Sequence, residues 1–321
     1  MSRETIQIAV RKLLDYADGG EVYLAFQGGE PLLSGISFYE AVVETVCAFN
    51  VRKSRVFYSL QTNGILLDET YAAFFAKHRF LIGISLDGTK ETHDIYRRCD
   101  GGGTFSDVMR GIELLKKYGV EFNILTVLTG YCAENAERIY KHFRSMGYKY
   151  IQFIPCLRPM GDSSSSELYM TGEQYADFLI KIFNLYVKDF SRGNYVSIRQ
   201  FDNWVRMYLG EKPEQCGLMG HCTHQFVAEG NGNIYPCDFY CTDEWLLGNI
   251  NEKSLEEMAT GKKAYEFIKQ SIAVDDKCKK CSYYPICRQG GCKRNRESAD
   301  YCSSYMKFFS SCLPLFRMFR R

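Results

Sequence analysis

The residues best equipped for chemistry are cysteines in the last third of the chain. One group reads Cys278-x2-Cys281-x5-Cys287-x4-Cys292-x9-Cys302, and a second lies upstream as Cys216-x5-Cys222-x14-Cys237. A C-x2-C pair lets two thiolates converge on one metal site within a tight turn. The later group runs through a basic, glycine-containing stretch, Arg288-Gln-Gly-Gly-Cys-Lys-Arg294. Lysine and arginine favour the thiolate there and offset the negative charge of a thiolate-ligated cluster. These eight cysteines make two sets of four, and four thiolates suit either a structural zinc or an iron–sulfur cluster. Spacing ranks iron–sulfur first, zinc second and disulfides last. His221 and His224 could complete a zinc site, but eight thiolates already fill two sites, so both read as surface or core histidines.

The distribution of cysteine is the outlier in composition. Of 14 cysteines, four lie before residue 216 and ten from there on. The N-terminal Met1-Ser2-Arg3-Glu4 has no apolar core and no apolar run is long enough to span a bilayer, so neither a secretory signal nor a membrane helix is read. A cytoplasmic, reducing setting is therefore expected, where clustered cysteines point to metal or redox work rather than disulfides. The net charge of +2 gives no electrostatic case for a nucleic-acid partner. The basic end, Arg317 to Arg321, reads as a solvated tail and not a membrane contact. Cys241 and Cys312 look spare, and Cys47, Cys99, Cys132 and Cys156 are expected to be small core hydrophobes.

The first half must then position whatever meets the cysteines. Apolar periodicity predicts helices over 4–17, 36–50, 68–78, 104–118 and 134–146. Between them stand strand-like runs at 21–26, 55–60, 81–86, 121–128 and 150–154. Strands separated by helices imply parallel pairing through right-handed crossovers, as either a barrel or a doubly wound sheet. Functional residues in such folds sit where strands end. The tips here are Gln27-Gly-Gly-Glu-Pro31, Gln61-Thr-Asn-Gly64, Ser85-Leu-Asp-Gly88 and Pro155-Cys-Leu157, and four together favour a ligand-binding mouth. Residues 161–166 read as a flexible connector, a long helix is expected over 172–191, and texture changes near 195–215. The division expected is 1–195 and 196–321.

An ordered set of segments resembles the anaerobic sulfatase-maturating enzymes, radical S-adenosylmethionine (SAM) proteins with a C-terminal SPASM-type module. It comprises Ala25-Phe-Gln-Gly-Gly-Glu-Pro31, Ser59-Leu-Gln-Thr-Asn-Gly64, Gly83-Ile-Ser-Leu-Asp-Gly88, Val120-Glu-Phe-Asn-Ile-Leu125, Gln152-Phe-Ile-Pro-Cys-Leu157, Val196-Ser-Ile-Arg199, Tyr235-Pro-Cys-Asp-Phe-Tyr240 and the late cysteines. The resemblance implies an α/β fold, a partial (β/α)6 barrel holding SAM at its mouth. It assigns SAM contacts to Gly28, Gly29, Glu30, Pro31, Ser85, Arg97 and Leu157. It also implies two auxiliary [4Fe–4S] clusters, one on Cys216, Cys222, Cys237 and Cys292, the other on Cys278, Cys281, Cys287 and Cys302. The family oxidises a cysteine or serine of a sulfatase polypeptide to Cα-formylglycine. A deoxyadenosyl radical takes a hydrogen atom from Cβ, a base takes the hydroxyl or thiol proton, and an electron leaves through an auxiliary cluster. Asp238 matches the base. A flavodoxin or ferredoxin is the implied electron donor, with no membrane partner. A maturase of ribosomally made peptides shares this barrel and module, and a non-catalytic iron–sulfur or zinc protein is the alternative of a different class.

Two departures from the family pattern stand out. One extra residue precedes Gly290-Gly291-Cys292, and the gap to Cys302 is short. No Cys-x3-Cys-x2-Cys occurs anywhere, although the family uses one after its first strand to hold the [4Fe–4S] cluster that cleaves SAM. The chain is therefore expected to lack that first strand and cluster loop, and to be a truncated form that does not sustain SAM cleavage.

Overall fold

The structure is a computed structural model and describes residues 1–162, 164, 166–298 and 301–320. Ser163 and Ser165 of the expected connector, and the terminal Arg321, lie outside the described residues.

Six parallel strands form the main sheet in chain order: β1 (Glu21–Phe26), β2 (Arg55–Thr62), β3 (Leu81–Ser85), β4 (Phe122–Leu128), β5 (Tyr150–Pro155) and β6 (Ser197–Ile198). An unreversed order with a helix in every crossover curls the sheet into an open barrel rather than a doubly wound sheet. The strand sequences show why. Leu60, Ile82, Ile84, Ile124, Ile151 and Phe153 are buried beneath the helices, whereas Tyr23 and Phe57 face the concave side, exposed and stacked at 4.8 Å. Period-two alternation thus assigns one face to the helical core and leaves the other lining the barrel.

Local chemistry sets the helix ends. Ser2 Oγ accepts from Thr5 N at 3.1 Å to start Arg3–Ala17, and Asp68 Oδ1 accepts from Tyr71 N at 2.9 Å to start Glu69–His78. Thr171 and Gln174 form a reciprocal capping box at the head of Gly172–Ser191. The helix expected over 134–146 is divided into Gly130–Glu134 and Ala136–Ser145, because Asn135 leaves helical geometry at φ −93° and ψ 13°.

The sixth strand was not among those read from periodicity, since two residues carry none. Its register, Tyr150 opposite Ser197 and Ile151 opposite Ile198, extends the sheet past residue 195. Beyond it, a small antiparallel sheet of β7 (Val227–Ala228), β8 (Asn233–Tyr235) and β9 (Gly248–Asn249) is ordered β9-β8-β7. The helix Cys302–Cys312 then returns to the barrel. Its Phe308 packs on Trp204 and Phe183, with ring centroids 5.0 and 5.4 Å away.

The basic end is solvated only in part, since Arg317, Met318 and Arg320 are exposed but Phe319 is buried. Phe316 stacks on Phe183 at 4.7 Å and Phe319 on Tyr186 at 5.5 Å, so apolar burial draws residues 313–319 onto the core. Nor do the early cysteines all lie inside. Cys132 is buried and Cys156 half-buried, but Cys47 and Cys99 are exposed, on the outer side of Ile36–Phe49 and in a hairpin tip. Among the described residues, no helix is long and apolar enough to cross a membrane.

Candidate active site at the mouth of the sheet

The loop after β1 is shaped by two glycines. Gly28 and Gly29 have φ of +89° and +46°, and a Cβ built at either would meet nothing within 4 Å. The backbone there is left-handed and open, free to approach a ligand closely. Glu30 anchors the same loop to its neighbour. Its carboxylate accepts from Thr62 Oγ1 at 2.6 Å, Asn63 N at 2.8 Å and Leu32 N at 3.0 Å. The glutamate side chain therefore clamps the β1 and β2 tips together. Pro31 opens the short helix that follows, and its carbonyl accepts from Tyr39 Oη at 2.7 Å.

A second clamp follows β3, just past Ser85. Asp87, buried, accepts from Arg97 Nε at 2.5 Å and from Val127 N at 2.7 Å. His93 braces this pair. Its Nδ1 accepts from Asp87 N at 3.1 Å, its Nε2 lies 3.0 Å from Thr104 Oγ1, and that hydroxyl donates to Arg97 O at 3.1 Å. Burial pulls the His93 pKa down to about 4, so the ring is neutral and Nε2 carries the proton. Sequence reading had placed Asp87 at a strand tip but gave no reason to join it to Arg97 or to His93. Leu157, half-buried, follows β5 at the same end of the sheet.

The eight cysteines divide between two recesses. Cys216, Cys222, Cys237 and Cys292 line one, enclosing about 570 Å³ including its opening to solvent. Cys278, Cys281, Cys287 and Cys302 line the other, of about 1500 Å³ on the same measure. Two backbone features bring Cys292 away from its sequence neighbours. Four successive residues, Arg288, Gln289, Gly290 and Gly291, have positive φ, which reverses the chain just before it. Gly217 then permits close approach, since a Cβ there would lie 2.7 Å from Cys292 N. Lys293 is held beside Cys292 with its ammonium 5.0 Å from the Tyr240 ring centroid and 5.3 Å from that of Trp245.

Five of the eight thiols share one chemical feature. Burial pushes Cys216, Cys237 and Cys292 up in the first recess and Cys278 in the second, and drives Cys287 up to about 12. A bare thiolate at these five positions is costly, so a cationic metal is what makes that form favourable there. Among the described residues no three His, Cys, Asp or Glu converge tightly enough to hold a single ion. Four thiols bordering each recess, with no three of them close enough to share one ion, fit a multi-iron cluster better than one tetrahedral zinc. His221 borders the first recess from an exposed position, its Nδ1 3.2 Å from Cys222 O, and His224 stands off it.

Asp238 connects mouth and cysteines. Its Oδ2 accepts from Gln27 Nε2 at 2.7 Å, and Cys237 Sγ lies 3.2 Å from its Oδ1. Arg199, just after β6, donates from Nη1 to Gln152 Oε1 at 3.2 Å, and its charge also bears on Cys216.

The fold and this site define a class: a radical SAM barrel joined to an iron–sulfur module. Residues 2–146 match the radical SAM superfamily, and residues 216–282 match an iron–sulfur cluster-binding domain of SPASM type. Proteins built of these two domains use SAM together with [4Fe–4S] clusters. The chain is 43% identical over 98% of its length, and 87% of the relative's, to a cysteine-type anaerobic sulfatase-maturating enzyme of Clostridium perfringens. It is 31% identical, over 98% of its length and 81% of the other, to a serine-type enzyme of Bacteroides thetaiotaomicron. The solved structure of native anSMEcpe with bound AdoMet and Kp18Cys peptide superposes with a TM-score of 0.96 at 41% identity, covering 99% of this chain and 90% of that one. The chain belongs to the anaerobic sulfatase-maturating enzymes.

Proposed function

We propose that this chain is built to oxidise a cysteine or serine side chain of a sulfatase polypeptide to Cα-formylglycine, with Asp238 as the base. The observation that carries this reading is the position of Asp238, hydrogen-bonded to the β1 tip through Gln27 and adjoining Cys237 of the first recess. Proton and electron can leave the substrate at one place there. Relatives at 43% and 31% identity are maturases of the cysteine and serine type, which supports a polypeptide substrate.

In this reading Gly28 to Pro31, Ser85, Arg97 and Leu157 hold SAM across the strand tips. Cys216, Cys222, Cys237 and Cys292 ligate one [4Fe–4S] cluster, and Cys278, Cys281, Cys287 and Cys302 the other. When bound, SAM supplies the group that removes a hydrogen atom from the substrate Cβ, and the clusters take up the electron left behind. The residues do the rest. Glu30 and Asp87 keep two loops from spreading, the open glycine backbone lets the methionyl end approach, and the Asp238 carboxylate accepts the O–H or S–H proton. Its second oxygen stays tied to Gln27, which fixes its direction.

The sequence supplies no Cys-x3-Cys-x2-Cys, so its own residues do not make the third cluster on which SAM cleavage depends. Reconstituted with iron and sulfide, then given SAM and dithionite, the chain is expected to form no sustained 5′-deoxyadenosine. Sustained turnover would show that reading wrong. The role of Asp238 is tested after joining the chain to an N-terminal segment that carries Cys-x3-Cys-x2-Cys. With a C-x-P-x-R peptide, Asp238→Asn should lower formylglycine formation by about 10²–10⁴-fold with iron content unchanged. Undiminished aldehyde formation rules Asp238 out as the base.

A further inference from the structure

The two cysteine recesses share a wall. Tyr284, Gln289 and Arg296 line both. Gln289 is fully engaged, accepting from Asp275 N at 2.9 Å and donating to Ala273 O at 3.0 Å. Arg296 is not. Its Nε is buried and, among the described residues, has no hydrogen-bond partner. Arg288 Nε is in the same condition, but Arg288 lines the first recess only.

Burying a donor without an acceptor is unfavourable. Among the described residues, Arg158 Nε and Arg206 Nε lack a hydrogen-bond partner too but line neither recess; Arg296 and Arg288 differ in bordering thiol-lined space, where a bound group can supply the acceptor. Cluster sulfide and thiolate sulfur are acceptors of that kind, and they carry net negative charge. Guanidinium is always charged and cannot relieve the mismatch by losing its proton.

We propose that Arg296 is a tuning residue shared by both clusters: its Nε–H donates to a cluster sulfur, and its charge, set in the partition, raises the reduction potential of each. The inference rests on the assignment of a cluster to each recess under Proposed function. Its physical basis is simple. A cluster gains one negative charge on reduction, so a neighbouring cation and an N–H···S bond stabilise the reduced form more than the oxidised one. Placed between the two, one guanidinium also offsets their mutual repulsion, so that an electron can reside on either. Arg288 does the same for the first cluster alone.

The test is a potentiometric titration followed by electron paramagnetic resonance, on the chain reconstituted with iron and sulfide. Arg296→Gln is expected to lower both cluster midpoints, changing the reduced-to-oxidised ratio at fixed poise about tenfold, or ~59 mV for a one-electron couple. Arg288→Gln should move one signal and leave the other. Arg296→Lys keeps the charge but loses the guanidinium donor, and should recover part of the shift. Full iron content with both midpoints unchanged in Arg296→Gln overturns the proposal, and movement of only one overturns the shared role. If Arg296→Gln loses iron, Arg296→Met, which fills the space without charge or donor, decides, and an unchanged pair of midpoints there overturns the proposal. Wild-type chain that binds metal without acid-labile sulfide would instead overturn the cluster assignment itself.

Discussion

Gln27 and Asp238 stand 211 positions apart in the chain and are joined side chain to side chain, with Gln27 Nε2 donating to Asp238 Oδ2 at 2.7 Å. One residue belongs to the first strand tip, the other follows a cysteine of the first recess. The bond fixes the carboxylate at the border between barrel and cysteine module. In the chain extended by a motif-bearing segment, Gln27→Leu is expected to slow peptide turnover about tenfold, the equivalent of one hydrogen bond to a charged group. SAM affinity, read by calorimetry, should stay as it is. A matching loss of SAM affinity would place Gln27 on the cofactor instead.

The Asp87–Arg97 pair offers a test that needs no turnover. Asp87 is 8% exposed at its side chain and Arg97 25%. Asp87→Asn keeps the shape but removes the charge that faces Arg97 and weakens the bond to Val127 N. Stability in urea should fall by about 1–3 kcal/mol, and SAM should bind at least several-fold more weakly. Unchanged binding would separate Arg97 from the cofactor site.

His93 makes this end of the sheet sensitive to acid. Its folded pKa of about 4 lies below the unfolded value of about 6.5, so below that higher value the unfolded chain binds the extra proton. The contribution is complete above about 6.5 and is lost as pH falls toward 4, by up to roughly 3 kcal/mol. Unfolding free energies of wild type and His93→Gln, measured between these limits, should converge as pH drops. Parallel curves would contradict the buried neutral imidazole.

The C-terminal helix ties the second recess to the barrel. Phe308 is fully buried between Phe183, Phe201 and Trp204, while Cys302 begins the same helix. Phe308→Ala should cost about 3–5 kcal/mol. Iron bound to the reconstituted variant should fall by about half, the share of the second cluster if Cys302 is one of its four ligands. Full retention of iron would show that the helix is not needed to present that thiol.

Much of this was readable from the sequence. Strands β1 to β5 followed from apolar runs, and the mouth from polar, glycine-rich tips. The late cysteines announced metal by number and spacing. Resemblance carried the rest of the family reading. What escaped was short or long-range. β6 is two residues and has no period, and the packing of 313–319 depends on an aromatic groove built from Phe183 and Tyr186. His93 carries no spacing signal, because its partners Asp87 N and Thr104 Oγ1 reach it only once the loops fold, and Arg296 carries none, because the wall between two recesses exists only in the folded chain.

The sequence by itself determined the donor chemistry and the elements long enough to carry a period, since residue type and local periodicity are properties of the chain before it folds. Only the tertiary structure decided which cysteines share a recess. Cys292 sits five residues from Cys287 yet lines the recess of Cys216, because four positive-φ residues turn the backbone and Gly217 lets it approach. Tertiary structure also brought Asp238 to Gln27 and gave Arg97 its carboxylate. Such pairings depend on where packed strands and loops place side chains in space, which separation along the chain does not encode.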